Sequence, residues 1–295
     1  MTAARMALLS DRGVVRVAGE EAEKLLQGII TNDTALLADG PAIHAGLLAP
    51  QGKILFEFLV VKAGDGFLLD TGREQADGLV KRLMMYKLRA KVDIADESDQ
   101  YRVFALWGPS PTSHGETRQM FSFRDPRLPP LGLRILAESR FAADMANATN
   151  GFDAAPEDYQ AHRIALGVPE GGKDYAFGDT FPHEANFDVL NGISFDKGCF
   201  VGQEVVSRMQ HRGGARKRIV IVEGEHPLQP GTEIMAGPAT IGTIGSVAGN
   251  RGLAVLRLDR AEEAIGNGEP LIAAGGRLTT RLPDYLKATA TVGAS

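Results

Sequence analysis

The only cysteine of the chain lies in a short segment whose residue types suit thiol chemistry. The segment reads Lys197-Gly-Cys-Phe-Val-Gly-Gln-Glu204, and it predicts a glycine-punctuated loop that runs into a helix from Gln203 to Met209. Unpaired N–H groups and the macrodipole at a helix start favour a nearby anion. With Lys197 close by, Cys199 would be stabilised as a thiolate and made more reactive. The alternative is a buried, inert thiol, because free cysteine is among the most buried residue types.

A second candidate for chemistry is the carboxylate of Glu184, within Phe181-Pro-His-Glu-Ala-Asn-Phe187. A partly buried carboxylate can accept two hydrogen bonds from an amino-pyrimidine edge, which gives planar recognition. The same residue could instead cap a loop or a helix start. The local sequence leaves both interpretations open.

A basic stretch follows the cysteine segment without an intervening acid. It contains Arg208, Arg212, Arg216, Lys217 and Arg218. Such a stretch could contact a phosphate, a polyglutamate tail or, weakly, RNA through residues 208–218. The alternative is a solvated helix end followed by a turn, where cations face the last carbonyl groups.

Two other kinds of site are not supported. Gly167-Val-Pro-Glu-Gly-Gly-Lys-Asp174 nearly matches a phosphate-binding P-loop, but an aspartate replaces the required hydroxyl and the preceding residues look helical rather than extended. The six histidines are scattered and there is no cysteine pair, so we expect no permanently bound metal. Cys199 alone cannot hold an iron–sulfur cluster, although it could supply one ligand of a shared or transient one.

Composition excludes several classes of protein. A chain of 295 residues predicts two or three domains. The net charge of −5 argues against extensive coating of nucleic acid. No apolar run approaches the ~20 residues of a membrane helix, and residues 1–17 lack the apolar core of a secretory signal. With a single cysteine these features predict a cytoplasmic protein without membrane contact.

The elements that must position these residues fall into three predicted regions. Residues 1–108 alternate strands and helices in the manner of an α+β domain with an antiparallel-rich sheet. Residues 109–214 form a second α+β domain that can interleave with the first; its residues 109–130 predict loops, and residues 167–196 predict a long functional loop. Short strands separated by Gly and Pro turns over residues 215–295 predict a small β-barrel.

The segment around Cys199 also closely resembles K-G-C-[YF]-x-G-Q-E, the signature of the YgfZ family of folate-binding proteins, which are relatives of the aminomethyltransferase (T-protein) of the glycine cleavage system. The resemblance covers nearly the whole chain. It is supported by Leu25–Asp33, by Ala45–Ile54 and by Met85–Val92, which is similar to the family's Y-x-L-R-x-x-V stretch.

This resemblance implies a T-protein-like three-domain ring with antiparallel-rich sheets and a C-terminal β-barrel. It also implies non-covalent binding of tetrahydrofolate and a role in the assembly or repair of iron–sulfur enzymes, including those that thiolate tRNA. The expected partners are those client enzymes or cluster carriers. Carried across, Cys199 and Lys197 are the catalytic candidates, and the cofactor-binding candidates are Glu184, Arg163, Gln203, Glu204 and Arg208.

Departures from T-protein bear on the reaction. Where its strand carries paired aspartates, this chain has Phe56 and Glu57, and where it has R-L-E-A-G, this chain has Arg163-Ile-Ala-Leu-Gly167. Aminomethyl transfer is therefore disfavoured. We expect a folate-dependent accessory factor; the alternatives are a folate-dependent one-carbon transferase or demethylase and a non-enzymatic RNA or protein adaptor, so the chain is not assigned as an enzyme.

Overall fold

The computed structural model describes residues 4–109, 116–117, 120–142, 154–211 and 215–287, the backbone alone at 116–117. The chain divides into two compact units, each built from three stretches of sequence. Unit 1 consists of Met1–Ala49, Leu55–Tyr159 and Asn191–Val201, and unit 2 of Pro50–Ile54, Gln160–Leu190 and Gly202–Ser295.

The first sheet of unit 1 has five strands and is covered by two helices. Its strands, in chain order, are β2 (Arg12–Ala18), β3 (Ala42–Leu48), β4 (Ile54–Ala63), β5 (Gly66–Gly72) and β6 (Asp93–Asp96), and they lie side by side in the order β3-β4-β5-β2-β6. Helices α1 (Ala22–Ile29) and α2 (Ala76–Lys87) bury Leu26, Ile29, Leu79 and Leu83 in the core that they share with the strands.

The second sheet of unit 1 has its own smaller core. It contains β1 (Arg5–Leu8), β7 (Tyr101–Trp107), β8 (Glu116–Thr117), β9 (Met120–Arg124) and β10 (Leu133–Glu138), in the order β1-β7-β10-β9-β8. The predicted loop over residues 109–130 is therefore wrong at β9. Its residues pair with β10 in an antiparallel register from Met120 opposite Ala137 to Arg124 opposite Leu133, and a short strand of this kind gains its stability from its neighbour rather than from its own sequence.

Unit 2 contains a closed barrel of six antiparallel strands. They are β11 (Lys217–Gly224), β12 (Glu233–Ala236), β13 (Ala239–Ala248), β14 (Arg251–Arg257), β15 (Leu271–Ala273) and β16 (Gly276–Arg281), in the order β11-β14-β13-β12-β15-β16. Helix α5 (Leu258–Gly266) packs Ala261 and Ala264 against the barrel core. Closure leaves no open sheet edge, and the predicted α+β fold with a C-terminal β-barrel is confirmed.

Two helices flank the long irregular segment that the sequence predicts. Helix α3 spans Pro156–Leu166 and helix α4 spans Gln203–His211, and residues 167–202 between them contain turns and one isolated bridge. Within this segment the Tyr175 ring makes edge contacts with Phe177 and Phe187. Among the described residues, no helix is long and apolar enough to span a membrane.

Candidate functional site

Cys199 lies in unit 1, and its side chain is exposed. The alternative of a buried thiol is therefore wrong. Residues 198 and 199 are both exposed, whereas Lys197 and Phe200 on either side are buried. The loop thus presents the cysteine to solvent while its flanking side chains hold it to the protein.

Lys197 anchors this loop to the end of helix α1. The side chain is only 6% exposed, and its Nζ donates to three backbone carbonyl oxygens, those of Gln27 at 2.8 Å, Ile30 at 2.9 Å and Asn32 at 2.8 Å. Carbonyl groups at a helix C-terminus have no partner in the helix and favour a cation. The ammonium therefore replaces the missing donors.

This arrangement uses all three N–H donors of the lysine. Burial lowers the pKa of Lys197 to about 8, and the nearby carboxylate of Asp33 opposes that change. The predicted catalytic role of Lys197 remains a prediction, and the contacts show a structural role, because no N–H of the ammonium is left for Cys199 or for a ligand.

Sequence reasoning missed two polar residues, Thr31 and Asn32, which bind the backbone at residues 191–192, just before the cysteine loop. Thr31 Oγ1 donates to the carbonyl of Gly192 at 2.6 Å. Asn32 Nδ2 donates to the carbonyls of Asn191 at 2.8 Å and His44 at 2.7 Å. Both residues belong to the segment 25–33 that supports the family resemblance, and that was the available signal.

The remaining predicted residues of the cysteine motif lie on α4, in unit 2. The carboxylate of Glu204 and the guanidinium of Arg208 form an (i, i+4) ion pair with 84% and 54% of the side chains exposed. An exposed pair of this kind contributes little to stability. The turn of Gly52 packs against α4, where a Cβ atom on Gly52 would lie 2.8 Å from the Cβ of Val205.

A cleft of about 460 Å³ lies in unit 2 and contains Glu184. The Oε2 atom of Glu184 accepts a hydrogen bond from the N–H of Phe181 at 3.0 Å, so the residue does cap its own loop. Its Oε1 atom has no partner among the residues that the structure describes. The two interpretations of Glu184 are therefore compatible, because one oxygen caps the loop and the other remains available.

Three lysines line this cleft together with the carboxylates of Asp174, Asp179 and Glu184. Lys53 donates to the carbonyl of Asp179, and its Nζ lies 3.7 Å from the centre of the Phe181 ring. Lys173 pairs with Glu170 at 3.1 Å, and Lys217 is exposed at the start of β11. Lys217 is the lining lysine that has no acidic partner among the described residues, so it is the cation most available to a carboxylate or phosphate group of a ligand.

Arg163 lies behind the cleft and is 1% exposed. Its five N–H groups all have acceptors in unit 2: Gln160 Oε1 twice, the carbonyl of Val168, Asp174 Oδ2 at 2.6 Å and Ser246 Oγ at 2.8 Å. No donor of Arg163 is left for a ligand. Its predicted part in cofactor binding can only be indirect, through Asp174, which lines the cleft.

The same contacts explain why the segment 167–174 is not a P-loop. Asp174 accepts hydrogen bonds from the N–H groups of Glu170 and Ser246, each at 2.8 Å, and pairs with Arg163. The carboxylate holds the loop against the barrel instead of leaving it open to a phosphate. Helix α3, rather than a strand, precedes the loop, which confirms that interpretation of the sequence.

The residues that replace the paired aspartates of T-protein are committed to the interior of unit 1. Phe56 belongs to the hydrophobic core. Glu57 is buried, with Oε1 3.1 Å from Nε2 of His44 and 4.0 Å from a guanidinium nitrogen of Arg127. Neither residue offers a free carboxylate.

Arg127 also forms a buried ion pair with Asp125, at 2.7 Å. Burial alone would raise the pKa of Asp125, but the guanidinium groups of Arg127 and Arg134 hold it well below its usual range. Within the described ranges, no group of three His, Cys, Asp or Glu side chains could hold a metal ion.

Comparison with known proteins gives two family models that match this chain. The CAF17 C-terminal beta-barrel domain matches residues 216–288, and the GCVT N-terminal domain matches residues 2–114. Among solved structures, the glycine cleavage system aminomethyltransferase T from Bartonella henselae superposes with a TM-score of 0.78 over 96% of this chain and 86% of that chain. At 16% identity, this likeness shows the fold alone.

Sequence relatives are iron–sulfur cluster assembly factors. The human factor IBA57 is 32% identical over 274 residues, covering 84% of this chain and 76% of the relative. The IBA57 homologue of Mycosarcoma maydis is 35% identical over 229 residues, covering 73% of this chain. The chain spans about half the length of two of these relatives, 56% for M. maydis and 52% for Neurospora crassa. All three relatives are named mitochondrial, which contradicts the predicted cytoplasmic location.

Proposed function

The chain belongs to the family of IBA57 iron–sulfur cluster assembly factors, and from this membership we propose that it is a tetrahydrofolate-binding accessory factor for cluster assembly or repair that acts through Cys199. The observation that carries the proposal is the exposed thiol on a loop whose base is fixed by the three hydrogen bonds of Lys197. A rigid base with an exposed sulfur suits a transfer factor, because the thiol can meet a second protein without rearrangement of its support.

The chemistry proposed for Cys199 is thiolate ligation. The thiol releases its proton to solvent, and Sγ donates an electron pair to iron of a cluster that a partner carries. One cysteine supplies one ligand, and the remaining ligands come from the partner. The cluster is therefore cargo, and the expected partners are cluster carriers or iron–sulfur client enzymes, including those that thiolate tRNA.

The residues of the unit 2 cleft fit a folate. Its volume of about 460 Å³ lies within the range of roughly 300–1,000 Å³ typical of small-molecule sites. The Oε1 atom of Glu184 can accept from the amino-pyrimidine edge, and Lys217, which has no acidic partner among the described residues, suits a carboxylate of the glutamyl tail. When bound, tetrahydrofolate would supply one-carbon carrier chemistry, and the protein's part is to orient it.

An anaerobic calorimetric titration with tetrahydrofolate tests the folate part. We expect micromolar binding that weakens at least tenfold in Glu184→Gln, because the amide keeps the hydrogen bond from Phe181 but loses the charge. Glu262→Gln, an exposed residue on α5, is the matched control. Glu204→Gln distinguishes binding in the cleft from binding at α4. If tetrahydrofolate affinity fell in Glu204→Gln and not in Glu184→Gln, the ligand would lie at the helix. Absence of binding by the unaltered protein would refute the folate part and leave the Cys199 part standing.

A one-carbon transferase is the less favoured second function. The matching acid Glu57 is buried against His44 and Arg127, and its neighbour Phe56 is a core residue. No carboxylate at this position is free to accept a proton from a substrate amine. Turnover of a methylated amine in the presence of tetrahydrofolate would instead favour the transferase over the accessory factor.

The RNA adaptor is also less favoured, because several of its cations already have partners. Arg218 binds both oxygens of Asp188, at 2.5 and 2.8 Å, and Arg208 pairs with Glu204. Arg212 lies outside the described residues. An adaptor would show RNA affinity that falls steeply with salt and is unchanged by loss of Cys199.

A further inference from the structure

Three large apolar side chains are exposed where helix α2 ends. Met84 is 48% exposed, Met85 67% and Leu88 86%. The opposite side of the same helix is occupied, because Leu79 and Leu83 are buried in the core of unit 1. The exposed side chains are thus additional to those that fold the helix.

The backbone at Leu88 is strained. Its φ of 48° and ψ of −107° are those of the first central residue of a type II′ turn, and Ala90 N donates to the carbonyl of Lys87 at 2.8 Å to close that turn. Glycine is the residue that this position favours. A leucine that is both strained and exposed contributes nothing evident to folding, and strain of this kind is concentrated at functional sites.

Basic side chains predominate around these residues. Residues 78–92 contain five basic side chains and no acidic one, in a chain whose net charge is −5. Lys81 pairs with Asp77 and Lys91 with Glu20. The other three, Arg82, Lys87 and Arg89, have no ion-pair partner among the described residues.

We propose that this surface docks an acidic protein. The α2 tip, defined as Met84, Met85 and Leu88 with the cations Arg82, Lys87 and Arg89, has an apolar centre and a charged rim, which is the anatomy of a protein interface. Methionine adapts to different partner surfaces. The unpartnered cations select a partner of negative charge and steer its approach. This surface is separate from the folate and Cys199 proposals and does not depend on either.

A membrane is the less suitable occupant. A helix that binds a membrane surface lies along its length with a continuous apolar face and aromatic anchors. On α2 the long apolar face is buried in the core, and the exposed apolar residues are limited to the tip and include no Phe or Trp. The patch suits a compact protein contact better.

Site-specific photocrosslinking in the cells of origin tests the proposal. The crosslinker p-benzoylphenylalanine replaces Met85 in the full chain, and it replaces Ile265, which is 56% exposed on α5, as the matched control. We expect a protein of net negative charge to be crosslinked from position 85 and not from position 265. Lipid adducts alone, equal products from both positions, or no product would overturn the proposal.

Binding of the identified partner to purified variants supplies the second readout. We expect Arg89→Glu and Leu88→Gly each to weaken binding at least tenfold, and the affinity of the unaltered protein to fall with salt. Leu88→Gly also relieves the strained backbone, so its thermal midpoint should not fall, and lost binding cannot then be attributed to unfolding. Affinity unchanged by Arg89→Glu and by salt would overturn the charge complementarity on which the proposal rests.

Discussion

The Nζ atom of Lys197 lies 2.8 Å from the carbonyl oxygen of Asn32, although 165 residues separate the two in the chain. With the bonds to Gln27 and Ile30, this contact ties the cysteine loop to the end of α1. The lysine that the sequence suggests as a partner of the thiol is therefore the anchor of the loop that carries it.

Lys197→Met should destabilise the protein. The substitution leaves three carbonyl groups without their donor, and a buried unsatisfied polar group costs about 1–3 kcal/mol. We expect a loss of about 2–4 kcal/mol in the free energy of unfolding, measured by urea denaturation. Lys24→Met, whose side chain is 85% exposed, should change it by less than about 0.5 kcal/mol. Equal losses of unfolding free energy in Lys197→Met and Lys24→Met would contradict the anchoring role of Lys197.

The same lysine should make stability depend on pH in the alkaline range. Its pKa is lowered by burial from 10.5 to about 8, so between these values the unfolded chain holds a proton that the folded chain has released. Stability must then rise with pH through this window, and the cost of burying the charge is fully present below it. The difference in unfolding free energy between the unaltered protein and Lys197→Met should therefore grow in favour of the unaltered protein from pH 8 to pH 10.5. A flat difference would show that the pKa is not lowered.

Arg163→Gln should be more destabilising than any exposed arginine substitution. It leaves the buried carboxylate of Asp174 without its cation, and breaking a buried pair costs about 3–5 kcal/mol. Arg260→Gln, from a pair that is more than half exposed, is the matched control and should cost less than about 0.5 kcal/mol.

A double variant distinguishes the ion pair from simple packing at this site. Adding Asp174→Asn to Arg163→Gln removes the stranded charge and should recover part of the lost stability. Calorimetry or denaturation gives the free energy of unfolding of both single variants and of the double variant. If the two single losses simply add in the double variant, Arg163 and Asp174 are not coupled.

Cys199→Ala should keep the fold and lose the function. The side chain is exposed, so the free energy of unfolding should change by less than about 0.5 kcal/mol. Iron–sulfur enzyme activity in a strain that lacks the protein should stay at the level of the empty vector, since alanine has no sulfur to ligate iron. Full restoration of that activity by the folded variant would remove Cys199 from the mechanism.

Leu88→Gly should stabilise the protein while weakening its interactions. Glycine adopts a positive φ without the steric cost that leucine meets there, so we expect a gain of about 1 kcal/mol after the entropy of the unfolded glycine is deducted. Met85→Gly, inside the preceding helix α2, should instead cost about 1 kcal/mol. Thermal denaturation of the two variants measures both, and a loss in Leu88→Gly would mean that the turn is not strained.

Local patterns predicted much of this molecule. Regular spacing of short strands and turns predicted the barrel after Ala215, and the octapeptide at 197–204 predicted a loop followed by a helix that the structure places at Gln203–His211. These features could be predicted because the residues that determine them are neighbours in the chain. Strand β9 was missed because its extended form depends on pairing with β10.

The roles of the charged residues were decided by tertiary structure. Lys197 and Arg163 look equally available for a ligand in the sequence. In the fold, the end of α1 accepts every N–H of Lys197. The N–H groups of Arg163 are all accepted by Gln160, Val168, Asp174 and Ser246. Residue type and spacing set the charge, the hydrogen-bonding capacity and the helix or strand preference of each segment. Which distant carbonyl or carboxylate uses that capacity depends on how the segments pack, because a buried charge must find its partners wherever the fold brings them.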